Sequence, residues 1–179
     1  MESRQAGLAW HAPNLAAAGT LALTSPDFDD GGAIPGVHAV ERAGGANLSP
    51  ALAWTAPPDG TAQLLLVVED PDAPTPRPFV HCVALLAPAM TGLEQGALGD
   101  GAASADVRLL RSGIGSGYFG PAPPKSHGPH RYVFQLFALA APLTTGPRAA
   151  LEKARPRDVL AAASGVLARG RLDGLYART

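Results

Sequence analysis

Cysteine is almost absent. Cys82 is the only one among 179 residues, which excludes an intrachain disulfide and any cysteine-rich metal centre. Its expected role is that of a small apolar residue in a strand. Charge is sparse and balanced, with 14 Lys and Arg against 15 Asp and Glu. No overall field therefore draws in nucleic acid or an anionic membrane surface, and any anion must be met locally. No apolar run approaches the roughly 18 residues of a membrane span. Met1 to Ala18 is broken by His11, Pro13 and Asn14, without the basic start and unbroken apolar stretch of a signal peptide. A soluble, cytoplasmic protein is expected. The chain has no internal repeat, no G-x-S-x-G elbow for a nucleophilic serine, and no H-x-x-x-H or H-x-H pair on one element. Neither a metal nor a cofactor is expected.

What is plentiful is glycine and proline, 21 and 18 residues, beside 46% hydrophobic residues. That combination suits short strands and many turns around one core. The length allows a single domain, assigned to residues 21–179 after an N-terminal extension, 1–20. Leu21 to Pro26 and Asn47 to Trp54 read as short strand regions. Leu64 to Asp70 is an apolar run of strand length stopped by Pro71, and is expected at the centre of a sheet. Phe79 to Leu86 follows across a proline-stiffened connection, and Ala97 to Asp106 reads as a mobile surface loop. Arg131 to Leu139 carries large apolar residues on both faces, so both faces should be covered. Two helices are expected near the end, Arg148 to Ala154 and Pro156 to Ala168, the second closed by Gly170. Leu172 to Arg178 is then a last strand.

The stretch from Gly113 to Tyr132 organises these pieces. Gly115, Gly117 and Gly120 satisfy G-x-G-x-x-G, but Pro121, Pro123 and Pro124 forbid the helix that a dinucleotide-binding turn requires. Lys125-Ser126 imitates the end of a phosphate-binding P-loop, with Pro124 where that motif needs glycine. The stretch therefore reads as a rigid loop forming one wall of a pocket.

Asp70 and Asp72 flank a proline at the end of the buried strand. In extended geometry residues two apart point the same way, so both carboxylates can face one cavity; Asp-Pro also starts Asx turns. His81 and His130 sit at the ends of neighbouring apolar strands. A carboxylate beside an imidazole fixes its tautomer and raises its basicity, and the pair can hold an anion or move a proton.

These residues resemble the phosphatidylethanolamine-binding protein (PEBP) family, bacterial branch, to which the Raf kinase inhibitor proteins are related. Asp70-Pro71-Asp72-Ala73-Pro74 with His81 is similar to one family signature. Gly117-Tyr118-Phe119-Gly120-Pro121-Ala122-Pro123-Pro124-Lys125 with His130-Arg131-Tyr132 is similar to the other. The resemblance runs from about Leu21 to Tyr176. It implies a mainly β fold of two antiparallel sheets, a large central sheet and C-terminal helices, with a small-anion pocket at one end of that sheet. The pocket walls implied are Asp70, Asp72, Ala73, Pro74, His81, Tyr118, Gly120, Pro123, Pro124, His130 and Tyr132.

The chain also departs from the family pattern. Val80 and Cys82 flank His81 where relatives carry aromatics, which implies a wider or reshaped rim. Arg111 replaces a common asparagine and would add a cation. Gly165 stands where a histidine is often seen in the last helix.

Two functions follow as expectations. One is capture of a small anionic or phosphorylated ligand, with a regulatory role toward a protein partner and a homodimer implied by the bacterial relatives. The alternative is a cofactor-free isomerase, cyclase or dehydratase of a natural-product pathway, in which Asp70, His81 and His130 are the catalytic acid and base.

Overall fold

The computed structural model describes residues 2–144 and 150–178. In chain order its strands are β1 (Gly19–Thr20), β2 (Leu23–Thr24), β3 (Gly32–Ala33), β4 (Leu52–Trp54), β5 (Gln63–Asp70), β6 (Phe79–Leu86), β7 (Gly92–Leu93), β8 (Val107–Leu109), β9 (His130–Leu139) and β10 (Val166–Tyr176). The helices are α1 (Glu2–Gln5) and α2 (Pro156–Ala162), with short 3-10 turns between elements.

Two sheets form. The larger runs β1-β10-β9-β5-β6-β8, with β3 also on β10, and the smaller runs β2-β4-β7. The expected mainly β, two-sheet architecture is present. The large sheet is mixed, however: β1 and β3 lie parallel to β10, while the other pairings are antiparallel.

The alternation within β5 explains why this strand is central. Leu64, Leu66 and Val68 join Phe134, Leu136 and the small sheet's Leu23, Leu52, Trp54 and Leu93 in the layer between the sheets. Leu65 and Val67 turn the other way, toward Phe137 and Leu139 of β9. That outer layer is closed by Ala9 and Leu15 near the start of the chain and by Leu151, Val159 and Leu160 near its end. Each fully buried Leu or Val side chain contributes ~1.5–3 kcal/mol, so a strand apolar on both faces is stable only with both layers in place. Both faces of β9 are covered, as its sequence requires.

The C-terminal region departs from expectation. The helix that begins at Pro156 stops at Ala162 instead of Ala168, and the last strand starts at Val166, not Leu172. Gly165 adopts φ +66° in the turn between them, so it belongs to no helix. From Ala168 onward burial alternates, with Ala168, Gly170, Leu172 and Gly174 facing inward. Gly170 is thus a mid-strand residue and not a helix stop. A Cβ there would lie 2.5 Å from the Leu21 carbonyl oxygen, so glycine is what lets the chain near β2 lie against β10. The start of the other expected helix, at Arg148, falls outside the described residues; its remainder is the 3-10 turn Leu151–Lys153.

The loop from Ala97 to Asp106 is anchored at its beginning. Leu98 is buried, and its backbone N–H donates to Ser49 Oγ at 3.1 Å while its carbonyl accepts from Tyr118 N at 2.7 Å.

Candidate functional site

The C-terminal end of β5 and the N-terminal ends of β6 and β9 meet at one end of the large sheet, because β5 is antiparallel to both neighbours. Asp70, His81 and His130 are therefore brought together from three strands. In β6 the register shifts so that Val68 pairs with Cys82 and Glu69 with Val80, leaving His81 unpaired. A bulge of this kind re-aims a side chain. Val80 and Val83 both stay in the outer layer while His81 turns into the site.

The three side chains line a cavity of about 190 Å3, together with Ala73, Pro74, Pro123, Pro124 and Tyr132. Asp70 is buried and fully engaged. Its Oδ1 accepts from the backbone N–H groups of Asp72 at 2.7 Å and Ala73 at 3.0 Å, and its Oδ2 accepts from His130 Nδ1 at 2.8 Å. The Asx turn and the imidazole partner, read from the sequence as alternatives, are thus both made by one carboxylate. The pairing places the His130 proton on Nδ1 and leaves Nε2 without a partner among the described residues.

His81 Nδ1 lies 2.6 Å from the Phe119 carbonyl oxygen. A carbonyl can only accept, so His81 also carries its proton on Nδ1 and keeps Nε2 as a lone pair. Burial pushes the His81 pKa down, partly offset by the Phe119 carbonyl and by the charge of Asp70. Tyr132 is buried, and its hydroxyl has no hydrogen-bond partner among the described residues; the Ala122 backbone comes near without adequate geometry. Burial, with the Asp70 charge second, raises its pKa, so the phenol remains a proton donor.

The lowered His81 pKa has a measurable consequence. The unfolded imidazole binds a proton near pH 6.5 while the folded one resists it, so unfolded chains bind more protons just below that pH. Stability is therefore expected to fall as pH drops through and below about 6.5. Urea titrations of wild type and His81→Gln between pH 5 and 7.5 check this: the substitution should flatten the slope, and an unchanged slope would refute the assignment.

Three residues expected in the walls do not line the cavity. Asp72 turns its carboxylate to the backbone N–H of Arg131, 2.9 Å away. The chain at Pro71–Asp72 is a turn, not extended, so the two-residue rule for Asp70 and Asp72 fails. Tyr118 points into the inter-sheet core and donates to the His38 carbonyl at 3.2 Å. Gly120 supports the loop from behind. Its N–H donates to Asn47 Oδ1 at 2.8 Å, and a Cβ would lie 2.2 Å from the His38 carbonyl oxygen.

In their place the cavity has Arg42, Phe79, Ile114 and Phe119. Phe119 lies in a loop between Tyr118, which enters the inter-sheet core, and Gly120, and it faces the other way, into the cavity. Phe79 stacks edge-on to His81, with ring centroids 4.9 Å apart, and Phe119 lies nearly parallel to it at 5.7 Å. The reshaped rim inferred from Val80 and Cys82 does not arise at those positions. Val80 is in the outer layer and Cys82 in the inter-sheet core, its thiol pushed up to about 12 by burial. Arg111 is exposed and bridges to Ser116 away from the cavity; the guanidinium at the mouth is that of Arg42, 5.7 Å from the Phe119 ring centroid. Among the described residues no group of three or more His, Cys, Asp or Glu is placed to hold a metal ion.

Residues 24–177 match the family described as phosphatidylethanolamine-binding protein. The chain belongs to this family. A UPF0098 protein of Aquifex aeolicus is 34% identical over 163 residues, covering 88% of this chain and 89% of the relative. A UPF0098 protein of Methanothermobacter thermautotrophicus is 39% identical over 163 residues, covering 87% and 98%. Among solved structures, Escherichia coli YbcL, described as a member of the mammalian PEBP family, superimposes with a TM-score of 0.76 at 27% identity, over 89% of this chain and 99% of YbcL. The bacterial PEBP assignment read from the two signatures therefore stands. Among the described residues no helix is long and apolar enough to cross a membrane.

Proposed function

We propose that this PEBP-family protein captures a small anion, a phosphate or carboxylate group, in the cavity between Asp70, His81 and His130, and that it takes up a proton in doing so. The observation that carries the reading is the shared tautomer. Both imidazoles spend Nδ1–H inside the protein, so each presents Nε2 to a ligand. A neutral ring offers an anion only a lone pair there. An imidazolium offers a charge-assisted donor. Asp70 fixes the orientation of the His130 ring through Nδ1, and the Tyr132 hydroxyl supplies a further donor that has no partner among the described residues. Phe79 and Phe119 pack on the His81 ring and give the cavity an apolar side, and a low local polarity strengthens charge pairing.

The experiment is calorimetric titration with inorganic phosphate at pH 6 to 8.5, in buffers of different ionisation enthalpy. Affinity is expected to weaken by up to about tenfold per pH unit for each proton taken up, and the heat to depend on the buffer. Absence of phosphate and acetate binding at millimolar concentration would refute the anion site. Binding with no buffer dependence would refute the proton uptake. A homodimer and a cytoplasmic location remain part of the same proposal, the first checked by light scattering.

A further inference from the structure

A second cavity, of about 510 Å3, opens beside the first and is more than twice its size. Thr75 and Phe79 belong to the walls of both, and the consecutive residues Gly113 and Ile114 are divided between them. The Phe79 side chain is the partition. On one side it packs on His81; on the other it approaches Gly113 so closely that a Cβ there would lie 2.6 Å from Cζ of its ring.

The larger cavity has an apolar floor, including Pro76, Pro78 and Val80, and three arginines, Arg77, Arg155 and Arg157. Arg157 is committed to the buried Glu69 at 2.6 Å. Arg77 and Arg155 are exposed and form no ion pair among the described residues. Asp158 is the one carboxylate in the lining, against these two arginines.

From these features, and resting on the anion-site reading, we infer that the ligand is two-headed. One anion sits against His81 and His130, an apolar linker crosses Phe79, and a second anionic group reaches Arg77 and Arg155. Volume supports this. A cavity of about 190 Å3 falls below the ~300–1,000 Å3 range of ordinary ligand sites, while the neighbouring 510 Å3 lies within it. Charge supports it too, because guanidinium groups without partners, set at the edge of an apolar floor, favour a carboxylate or phosphate end group.

The test compares alkyl phosphates with ω-carboxyalkyl phosphates of equal length, over linkers of two to eight carbons, on wild type and on the Arg77→Ala, Arg155→Ala double variant. At one linker length the terminal carboxylate should tighten binding about tenfold at low salt, and less at high salt. The double variant should lose that gain while its affinity for inorganic phosphate stays unchanged. Both side chains are exposed, so the variant is expected to fold, and the unchanged phosphate affinity verifies it. If the carboxylate adds nothing at any length, or its gain survives the double substitution, the two-headed ligand is refuted and the anion site stands. If neither wild type nor variant binds any phosphate, both readings fall.

Discussion

Arg157→Ala is expected to lower the unfolding free energy by about 3 kcal/mol, a large share of the ~5–15 kcal/mol that holds a domain of this kind together. Glu69 is fully buried on the outer face of β5, next in the chain to Asp70. Its Oε2 accepts from Ala9 N at 2.7 Å and from Gln135 Nε2 at 2.8 Å. Its Oε1 lies 2.6 Å from Arg157 Nη1, an ion pair without hydrogen-bond geometry at that oxygen. Arg157 also donates to the Pro78 carbonyl at 2.5 Å and to the Gly7 carbonyl at 3.4 Å. One guanidinium thus joins α2, the N-terminal segment and the loop between β5 and β6. Its removal leaves a carboxylate in the core with no counter-charge, the more damaging half of breaking a buried pair. The lower end of the usual range applies because the Arg157 side chain is itself 27% exposed. Urea denaturation measures the loss. A double-mutant cycle with Glu69→Gln should recover part of it, since the amide needs no counter-charge. A loss below about 1 kcal/mol would put the pair among ordinary surface ion pairs and overturn the argument.

Asp70→Asn is expected to weaken phosphate binding by roughly ten- to hundredfold at pH 6, the equivalent of ~1.5–3 kcal/mol for a hydrogen bond to a charged partner. The amide can still accept the Asp72 and Ala73 N–H groups through Oδ1, so the turn after β5 survives. Its Nδ2 then faces the His130 Nδ1–H, donor against donor. His130 must move its proton to Nε2, where the neutral ring can donate to phosphate without taking up a proton, and it loses its carboxylate partner. The signature separating this from general damage is the proton count. Phosphate binding by the variant should take up about one proton fewer than by wild type, read from the buffer dependence of the heat. Equal affinity and an equal proton count would show that Asp70 does not prepare His130 for an anion.

Long, locally determined elements were legible in the chain. β5, β6 and β9 are apolar runs bounded by proline or glycine, and each came within a residue of its expected limits because its partners only reinforce a local preference. The last strand was not. Val166 to Tyr176 contains alanine, leucine and arginine, good helix formers, and glycine read as a helix stop. In the fold these residues pair along nearly the whole length of β9, and the glycines admit Leu21 and Ile34 against the strand. Tertiary pairing here outweighs a weak local propensity.

The site divides the same way. Asp70, His81 and His130 stand out as polar residues at the ends of apolar strands, and their grouping, together with the two signature motifs, marks them in the sequence. Phe79 and Phe119 were hidden within the same motifs, because their alternation depends on a bulge and a loop path that the chain does not announce. Arg42 comes from a separate 3-10 turn, and nothing in its neighbourhood signals a cavity.

The sequence by itself determined the family, the central strands and the three titratable residues, since these rest on residue type and spacing. Only the tertiary structure decided what each residue does. Asp70 meets His130 across 60 residues, and His81 meets the Phe119 carbonyl across 38. The direction of those two hydrogen bonds selects which ring nitrogen is left without a partner among the described residues, because a carboxylate or carbonyl oxygen can only accept.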